Sequence, residues 1–280
     1  MRVRVAAVAD AFGRDIEAGF HRMASMFERA RDRGVRLLVL PEAAIGGYLA
    51  NLDGQAPPPP ACALDGPEVA RLVALAGDLV VCAGLCEQDG EDRYNTAVCV
   101  GGGEVLGFHR KVHQPLSEGA HYRAGDRFAA FDTPVGRMGM LICYDKAFPE
   151  GARALTLDGA EIVACLSAWP ASRTATVTDL ATDRWAQRFD LFDRARALEN
   201  QVVWLSANQT GTFGDLRFVG KAKVVGPGGE IIAATGTGAG AAEADIDVGF
   251  LLDEARRSMF HLANRRPDAY GAAAAVGAVR

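Results

Sequence analysis

The chain has 280 residues, 49% apolar and 23% charged, an ordinary globular composition with enough length to bury a core in one large domain or two small ones. Lysine and arginine total 30 against 35 aspartates and glutamates, a formal charge of −5, which leaves no basic stripe for nucleic acid. No apolar run reaches the roughly 20 residues of a membrane-spanning helix, and the opening MRVRVAAVADAFG has no apolar signal-peptide core, so a cytoplasmic protein is expected.

The predicted elements open with a β–α–β unit. Residues 3–8 read as an apolar strand. Ile16, Phe20, Met23, Phe27 and Ala30 then recur at helical spacing on an otherwise charged segment. Gly34 suits the end of that helix, and the nearly all-apolar residues 35–40 read as a strand buried on both faces. Gly46, Gly47 and four prolines at 57–60 make the next stretch irregular. A short helix over 67–76, a strand over 79–85 and a hairpin of 96–100 with 105–110 follow, the hairpin turning at Gly101, Gly102 and Gly103. The pattern continues with a strand at 137–142, a helix from Pro149, a strand at 162–167 and a long helix within 179–198. Further strands are predicted at 202–207, 221–225, 230–233 and 243–246. Alternating strands and helices interrupted by hairpins predict an α/β fold with a mixed sheet. The Ala-rich end, GAAAAVGAVR, is either a frayed tail or an arm that orders against a partner.

The cysteines are Cys62, Cys82, Cys86, Cys99, Cys143 and Cys165. In a chain of this size without a secretion signal they are expected to be reduced, and most to be buried and inert. Cys82 and Cys86 have no second Cys or His pair at matching spacing, so no metal site is expected. Asn208-Gln209-Thr210 forms a glycosylation sequon, without consequence in an unsecreted protein.

Three predicted strands end in polar residues that a core would not select. LLVLPEAAIGGY ends in Pro41 and Glu42, GFHRKVHQP ends near Lys111, and GMLICYDKAFPE ends at Cys143 shortly before a helix. Ligands of α/β sheets collect at the carboxyl ends of strands. A carboxylate, an ammonium and a thiol so located form a candidate constellation. Singly, each also has a structural reading: the thiol as packing, Glu42 as a helix cap, Lys111 as a solvated charge.

Together these segments resemble the nitrilase, or carbon–nitrogen hydrolase, superfamily from residue 3 to about residue 270. LPEAAIGGY is similar to the family's glutamate segment, HRKVH to its lysine segment and ICYDKAFPE to its cysteine elbow. ARALENQVVWLSANQTG and NRRPDAY resemble a fourth and a fifth segment, all in the family's order. The resemblance implies Cys143 as nucleophile, Glu42 as general base and Lys111 as electrostatic partner. Lys111 and the backbone N–H of Tyr144 are then the donors to a tetrahedral oxyanion. Glu118, in LSEGAHYRAG, aligns with a further family glutamate expected to position substrate or Lys111; the alternative is a surface loop carboxylate. Tyr48 and Trp169 are expected pocket walls, Trp169 alternatively a packing aromatic. Asp145, Glu150 and Glu199 are expected to be structural.

Tyr144 and Asp145 after the nucleophile resemble the amidase and carbamoyl-hydrolase branches, where true nitrilases usually carry Trp then Glu. Some relatives that bind acidic substrates carry arginine three or four positions after the cysteine. Here Lys146 and Ala147 stand there, which argues against a tightly held carboxylate, with Lys146 available as a weaker point charge. Asp10, and the GKAK at 220–223, depart from the family pattern and leave the subfamily open.

The fold so implied is a four-layer α-β-β-α sandwich of two mixed sheets. One carbon–nitrogen hydrolase domain spans 1–270, the tail spans 271–280, and a homodimer or higher homo-oligomer is expected. The implied activity is thiol-dependent hydrolysis of a small amide or N-carbamoyl (ureido) compound through a Cys acyl-enzyme, releasing ammonia. It needs no metal and no organic cofactor, and no nucleic-acid or membrane partner is expected. A nitrilase or an amide-forming acyl transferase remains an alternative. So does a non-catalytic binding protein on the same fold, although the presence of all three triad residues argues against it.

Overall fold

The computed structural model describes residues 2–270; the Ala-rich segment 271–280, read above as tail or arm, lies outside the described residues. Its strands are β1 (Arg2–Asp10), β2 (Val35–Val39), β3 (Ala61–Cys62), β4 (Val80–Asp89), β5 (Asp92–Gly101), β6 (Glu104–Arg110) and β7 (Phe131–Thr133). They continue with β8 (Gly136–Ile142), β9 (Ile162–Ser167), β10 (Val203–Phe213), β11 (Leu216–Val219), β12 (Lys223–Val225), β13 (Ile231–Ala234) and β14 (Gly240–Asp247). The helices are α1 (Ile16–Asp32), α2 (Pro67–Ala76), α3 (Pro149–Leu157), α4 (Arg184–Asn200), α5 (Val248–Ser258) and α6 (Pro267–Tyr270).

The opening β–α–β unit forms as its pattern predicts. The Asp15 carboxylate accepts from the Ala18 N–H at 2.9 Å and starts α1, and Gly34, with φ of 72°, turns the chain out of it. Phe20, Met23, Phe27 and Ala30 are buried, together with Val69 and Leu72 of α2, in one cluster against β1, β2 and β4.

The main strand path runs β6-β5-β4-β2-β1-β10-β9-β8-β7. The central neighbours from β4 to β8 are parallel, and β5, β6 and β7 are antiparallel additions, so the sheet is mixed. β14 runs antiparallel along β1 from Arg2 opposite Asp247 to Ala9 opposite Gly240, and β10 reaches β1 only at Ala9 and Asp10. This narrow join lets the two halves of the path turn face to face. A single apolar cluster takes Val5, Val39, Cys82 and Cys99 from one half and Met138, Met140, Ile142 and Leu166 from the other. Another, with Leu155, Val163, Ala197 and Trp204, lies beneath α3 and α4.

Several boundaries differ from expectation for identifiable reasons. β4 and β5 run on to a turn at Gly90, because the EQDGEDRYN stretch is a protruding hairpin without an apolar face to betray it. β12 starts at Lys223 and not at residue 221, since Gly220 and Lys221 both hold positive φ and break the strand. β10 continues to Phe213 and folds back at Gly214-Asp215 as β11, and α5 follows β14 directly, capped by Asp247; neither element is among those expected. All six cysteines are free and buried. Among the described residues no helix is long and apolar enough to cross a membrane, and no group of three or more His, Cys, Asp or Glu side chains is arranged to hold a metal ion.

Candidate active site

The carboxyl ends of several strands converge on one buried spot. Glu42 follows β2, and Ala43 turns the chain there with φ of 56°. The Glu42 backbone rests on β4 at Gly84, where a Cβ would stand 2.3 Å from the Ala43 nitrogen, so only glycine fits. Gln209 of β10 donates to the Glu42 carbonyl at 2.9 Å. Cys143 follows β8 with φ of 50°, a left-handed conformation that costs a non-glycine residue about 1–3 kcal/mol. It swings the chain from strand into the helical turn Cys143–Ala147.

Lys111 lies one residue beyond β6. In extended chain residues 109, 111 and 113 share a face, and His109 Nε2 and His113 Nδ1 each sit 3.0 Å from the Asp145 carboxylate. That carboxylate also accepts from the N–H groups of Ile142, Val112 and His113 at 3.1, 3.2 and 2.8 Å. Burial opposes its ionisation, and the two histidines outweigh burial and hold it well below the usual carboxylate range. Asp145 therefore clamps the lysine segment onto the elbow. Glu199 is held by Arg196 at 2.8 Å, also a structural position. Glu150 is exposed in the first turn of α3 and does not shape the elbow.

Glu42, Lys111 and Glu118 form one fully buried cluster. Lys111 Nζ donates to Glu42 Oε1 at 2.9 Å and to Glu118 Oε1 at 2.8 Å. Asn95 Nδ2 donates to Glu42 Oε1 at 2.7 Å, and the Tyr48 hydroxyl donates to Glu118 Oε1. These contacts remove the readings of Lys111 as a solvated charge, Glu42 as a helix cap and Glu118 as a surface carboxylate. The Ala168 N–H donates to Glu42 Oε2 at 2.5 Å. Glu42 and Cys143 are close enough for the carboxylate's charge to act on the thiol.

Burial pushes the Cys143 thiol well above its ordinary value; Glu42 and Glu118 add to this, against Lys111 and the Ala168 N–H. Burial alone would lower Lys111, but Glu118 and Glu42 outweigh it and keep the ammonium charged. Burial raises Glu118 to about 7 in spite of Lys111. Glu118 Oε2 has no hydrogen-bond partner among the described residues.

Cys143 opens onto a cavity of about 310 Å³. Tyr48 and Trp169, the expected wall residues, line it, as do Tyr144, Arg173, Arg184 and Trp185. Trp169 also packs on Trp185 and Phe189 at 5.7 and 5.9 Å between ring centroids, so it is both wall and core aromatic. Lys146 is no point charge for substrate. It is fully buried, bonded to Asp193 Oδ1 at 2.8 Å, and absent from the cavity lining.

Sequence reasoning missed the supporting groups Asn95, His109, His113, Asn208 and Gln209. The histidines were legible in principle, because the alternation in HRKVH puts both on the face of Lys111. Asn208 Oδ1 accepts from the Trp169 N–H at 2.7 Å, and Asn208 and Gln209 are buried, so the sequon residues brace the site.

Comparison with known proteins agrees with this geometry. The carbon-nitrogen hydrolase family model matches residues 4–252. A nitrilase of Pyrococcus abyssi is 30% identical over 236 residues, covering 83% of this chain and 84% of that protein. An (R)-stereoselective amidase of a Pseudomonas species is 31% identical over 235 residues, covering 82% and 79%. The crystal structure of a carbon-nitrogen hydrolase from Helicobacter pylori G27 superposes with a TM-score of 0.82 at 25% identity, covering 96% and 97% of the two chains. With the family model matching most of its length, the chain belongs to the carbon–nitrogen hydrolase, or nitrilase, superfamily, enzymes that hydrolyse carbon–nitrogen bonds other than peptide bonds.

Proposed function

We propose that the protein is a thiol amidohydrolase that cleaves a small amide or N-carbamoyl compound through a Cys143 acyl-enzyme and releases ammonia. The observation that carries this reading is the buried Glu42–Lys111–Glu118 cluster, whose charges act on a Cys143 thiol that lines the cavity. Because burial keeps the thiol protonated, no standing thiolate is available, and a base must act at the moment of attack. Glu42 takes the thiol proton as sulfur bonds to the carbonyl carbon. The oxyanion that forms accepts from Lys111 and the Tyr144 N–H, donors worth about 3 kcal/mol each in such sites. Glu42 returns the proton to the leaving nitrogen, the C–N bond breaks and ammonia departs, leaving a thioester. Water then gives a proton to Glu42 and attacks the thioester; the thiolate leaves and recovers that proton. Glu118, with Oε2 unpaired, accepts from the substrate N–H and steadies Lys111. This chemistry calls for no metal and no organic cofactor.

Tyr144–Asp145 after the nucleophile favours amide over nitrile, and the similarity to the Pseudomonas amidase supports that branch. The Pyrococcus relative, named a nitrilase, keeps nitrile hydrolysis as the second reading. Ammonia release from a panel of amides, ureido compounds and nitriles separates them. Turnover of nitriles alone overturns the branch. Intact mass after incubation with amide is expected to show an acyl adduct on the native protein and none on Cys143→Ala; no adduct and no turnover would leave only a binding role.

The same reading extends to the architecture and setting. The narrow β1–β10 join, the apolar cluster between the two halves and the helices over their outer faces support a four-layer α-β-β-α sandwich in a single domain over 1–270. Exposed Leu157, Leu191 and Leu198 on α3 and α4, with Met259 and Phe260 after α5, support a homodimer or larger homo-oligomer. Six unpaired cysteines fit a reducing, cytoplasmic setting.

A further inference from the structure

The cavity at Cys143 carries a charge pattern that amide hydrolysis does not by itself require. Behind its buried end stand two carboxylates, Glu42 and Glu118, and one ammonium, Lys111. Its exposed rim carries Arg173 and Arg184, and no aspartate or glutamate lines it. Arg173 lies between β9 and α4, and Arg184 is the first residue of α4. Arg184 Nε donates to Ser172 Oγ at 3.1 Å and its Nη2 to Thr174 Oγ1 at 2.5 Å, hydroxyls that aim the guanidinium without neutralising it. Asp183, the adjacent acid, is spent elsewhere: its oxygens accept from the N–H groups of Ser172, Trp185 and Ala186. Arg173 has no hydrogen-bond or ion-pair partner among the described residues. Other surface arginines do find acids, as Arg4 does with Asp245 and Arg123 with Asp92. Between the two charged ends the walls are Tyr48, Leu52, Trp169 and Trp185.

We propose that Arg173 and Arg184 select substrate by binding a carboxylate at the end remote from the scissile bond, so that the enzyme takes small amides or ureido compounds with an anionic far end. The cationic rim holds that carboxylate, which orients the amide toward Cys143. Guanidinium groups suit the task because they bind carboxylates in a planar, two-point manner. They supply, from a different segment, the cation that Lys146 and Ala147 do not. The inference rests on the amidohydrolase reading for the reacting end of the substrate and not for the anion site.

The test compares glutaramate with a neutral counterpart in which a hydroxymethyl group replaces the carboxylate. Native protein is expected to favour glutaramate in kcat/KM by roughly 10–100-fold. Arg173→Gln with Arg184→Gln is expected to raise the glutaramate KM by a similar factor, and so to bring the kcat/KM values of the two compounds to within about twofold of each other. Binding of the same two compounds to Cys143→Ala, measured by calorimetry, is expected to show the same preference and the same loss. A native protein that treats the two compounds alike, or a preference that survives the double substitution, overturns the proposal. Arginine-dependent binding of glutaramate without turnover of any amide leaves the anion site standing and sinks the hydrolytic reading. Turnover of neutral amides without anion preference does the reverse, and a protein that neither binds nor cleaves glutaramate overturns the anion site.

Discussion

Lys111 and Lys146 are both fully buried beside carboxylates, yet only Lys111 belongs to the proposed active site. Around Lys146 the bonds close on themselves. Asp193 Oδ1 accepts from Lys146 at 2.8 Å and from Trp204 Nε1 at 3.0 Å, and Oδ2 accepts from Lys223 at 2.7 Å. Arg196, one turn further along α4, donates to the carbonyls of Lys146 and Ala147 at 2.9 and 3.1 Å. This region is a clamp that fixes the elbow turn to α4. Around Lys111 the bonds do not close: Glu118 Oε2 is left over, a thiol adjoins Glu42, and Tyr48 and Cys143 open onto a cavity. Burying a charge is costly in either place. Unspent hydrogen-bonding capacity facing a void is what separates a site from a clamp.

If that distinction holds, isosteric changes in the two regions must fail in different ways. Glu42→Gln keeps the shape of the first cluster and removes its base. It is expected to lower kcat/KM for amide hydrolysis by roughly 10²–10⁴-fold, the range of lost general-base catalysis, with the melting temperature little changed. Unchanged kcat/KM would strike the base role directly. Asp193→Asn removes the carboxylate on buried Lys146 and one of the two on Lys223, which keeps Asp190 at 3.2 Å. It is expected to lower stability by about 3–5 kcal/mol, on the order of 10 °C in a chain of this size. Activity per folded molecule should stay within about tenfold, since no atom of this cluster lines the cavity. A stable but inactive Asp193→Asn protein would show that the clamp belongs to the site after all.

The same contrast explains what the sequence disclosed. The ends of β2 and β8 and the HRKVH segment were legible because a buried strand that terminates in a charged or nucleophilic residue breaks its own pattern. The partners that decide each residue's role were not, because they arrive from far along the chain. Asn95 meets Glu42 across 53 positions and Gln209 meets it across 167. Lys146 read as a point charge for want of Asp193, which lies 47 positions away on a helix whose polar residues look solvated. Arg173 sits in a polar loop and Arg184 opens α4, and nothing local marks either as cavity lining. Fold class was accessible from alternation alone. The extended β4–β5 hairpin and β11 were not, since their signal is pairing and not composition, whereas α5, with Val248, Leu251, Leu252 and Ala255 at helical spacing after Asp247, was open to the same reading and was missed.

Titration gives the two carboxylates opposite signs. Glu118 is raised from 4.5 to about 7 in the fold, so its contribution to stability is full below pH 4.5 and is lost as pH rises through about 7. Glu118→Gln is therefore expected to gain on the native protein between those limits, by on the order of 1–3 kcal/mol in urea unfolding. Asp193 runs the other way. Burial opposes its charge, but Lys146 and Lys223 hold it below 3.8, so its contribution is present above that pH and lost only in acid. The Asp193→Asn deficit should thus shrink only at low pH. Stability curves parallel to native for both variants would mean that neither carboxylate titrates differently in the fold.

The smallest expected effect tests whether Tyr48 is a wall or part of the charge cluster. Its hydroxyl donates to Glu118 Oε1, a bond that favours the ionised carboxylate. Tyr48→Phe keeps the ring against the cavity and deletes that donor, while Lys111 remains on the same oxygen. The loss is expected to be about 1 kcal/mol, or roughly fivefold in kcat/KM. Its signature is directional: with one donor gone, Glu118 holds its proton to higher pH, and the acid limb of the kcat/KM profile should move upward. A rise in KM with the profile unmoved would make Tyr48 a wall alone. Glu118 would then owe its charge to Lys111 without help, and the open cluster would be one bond closer to the closed one behind the elbow.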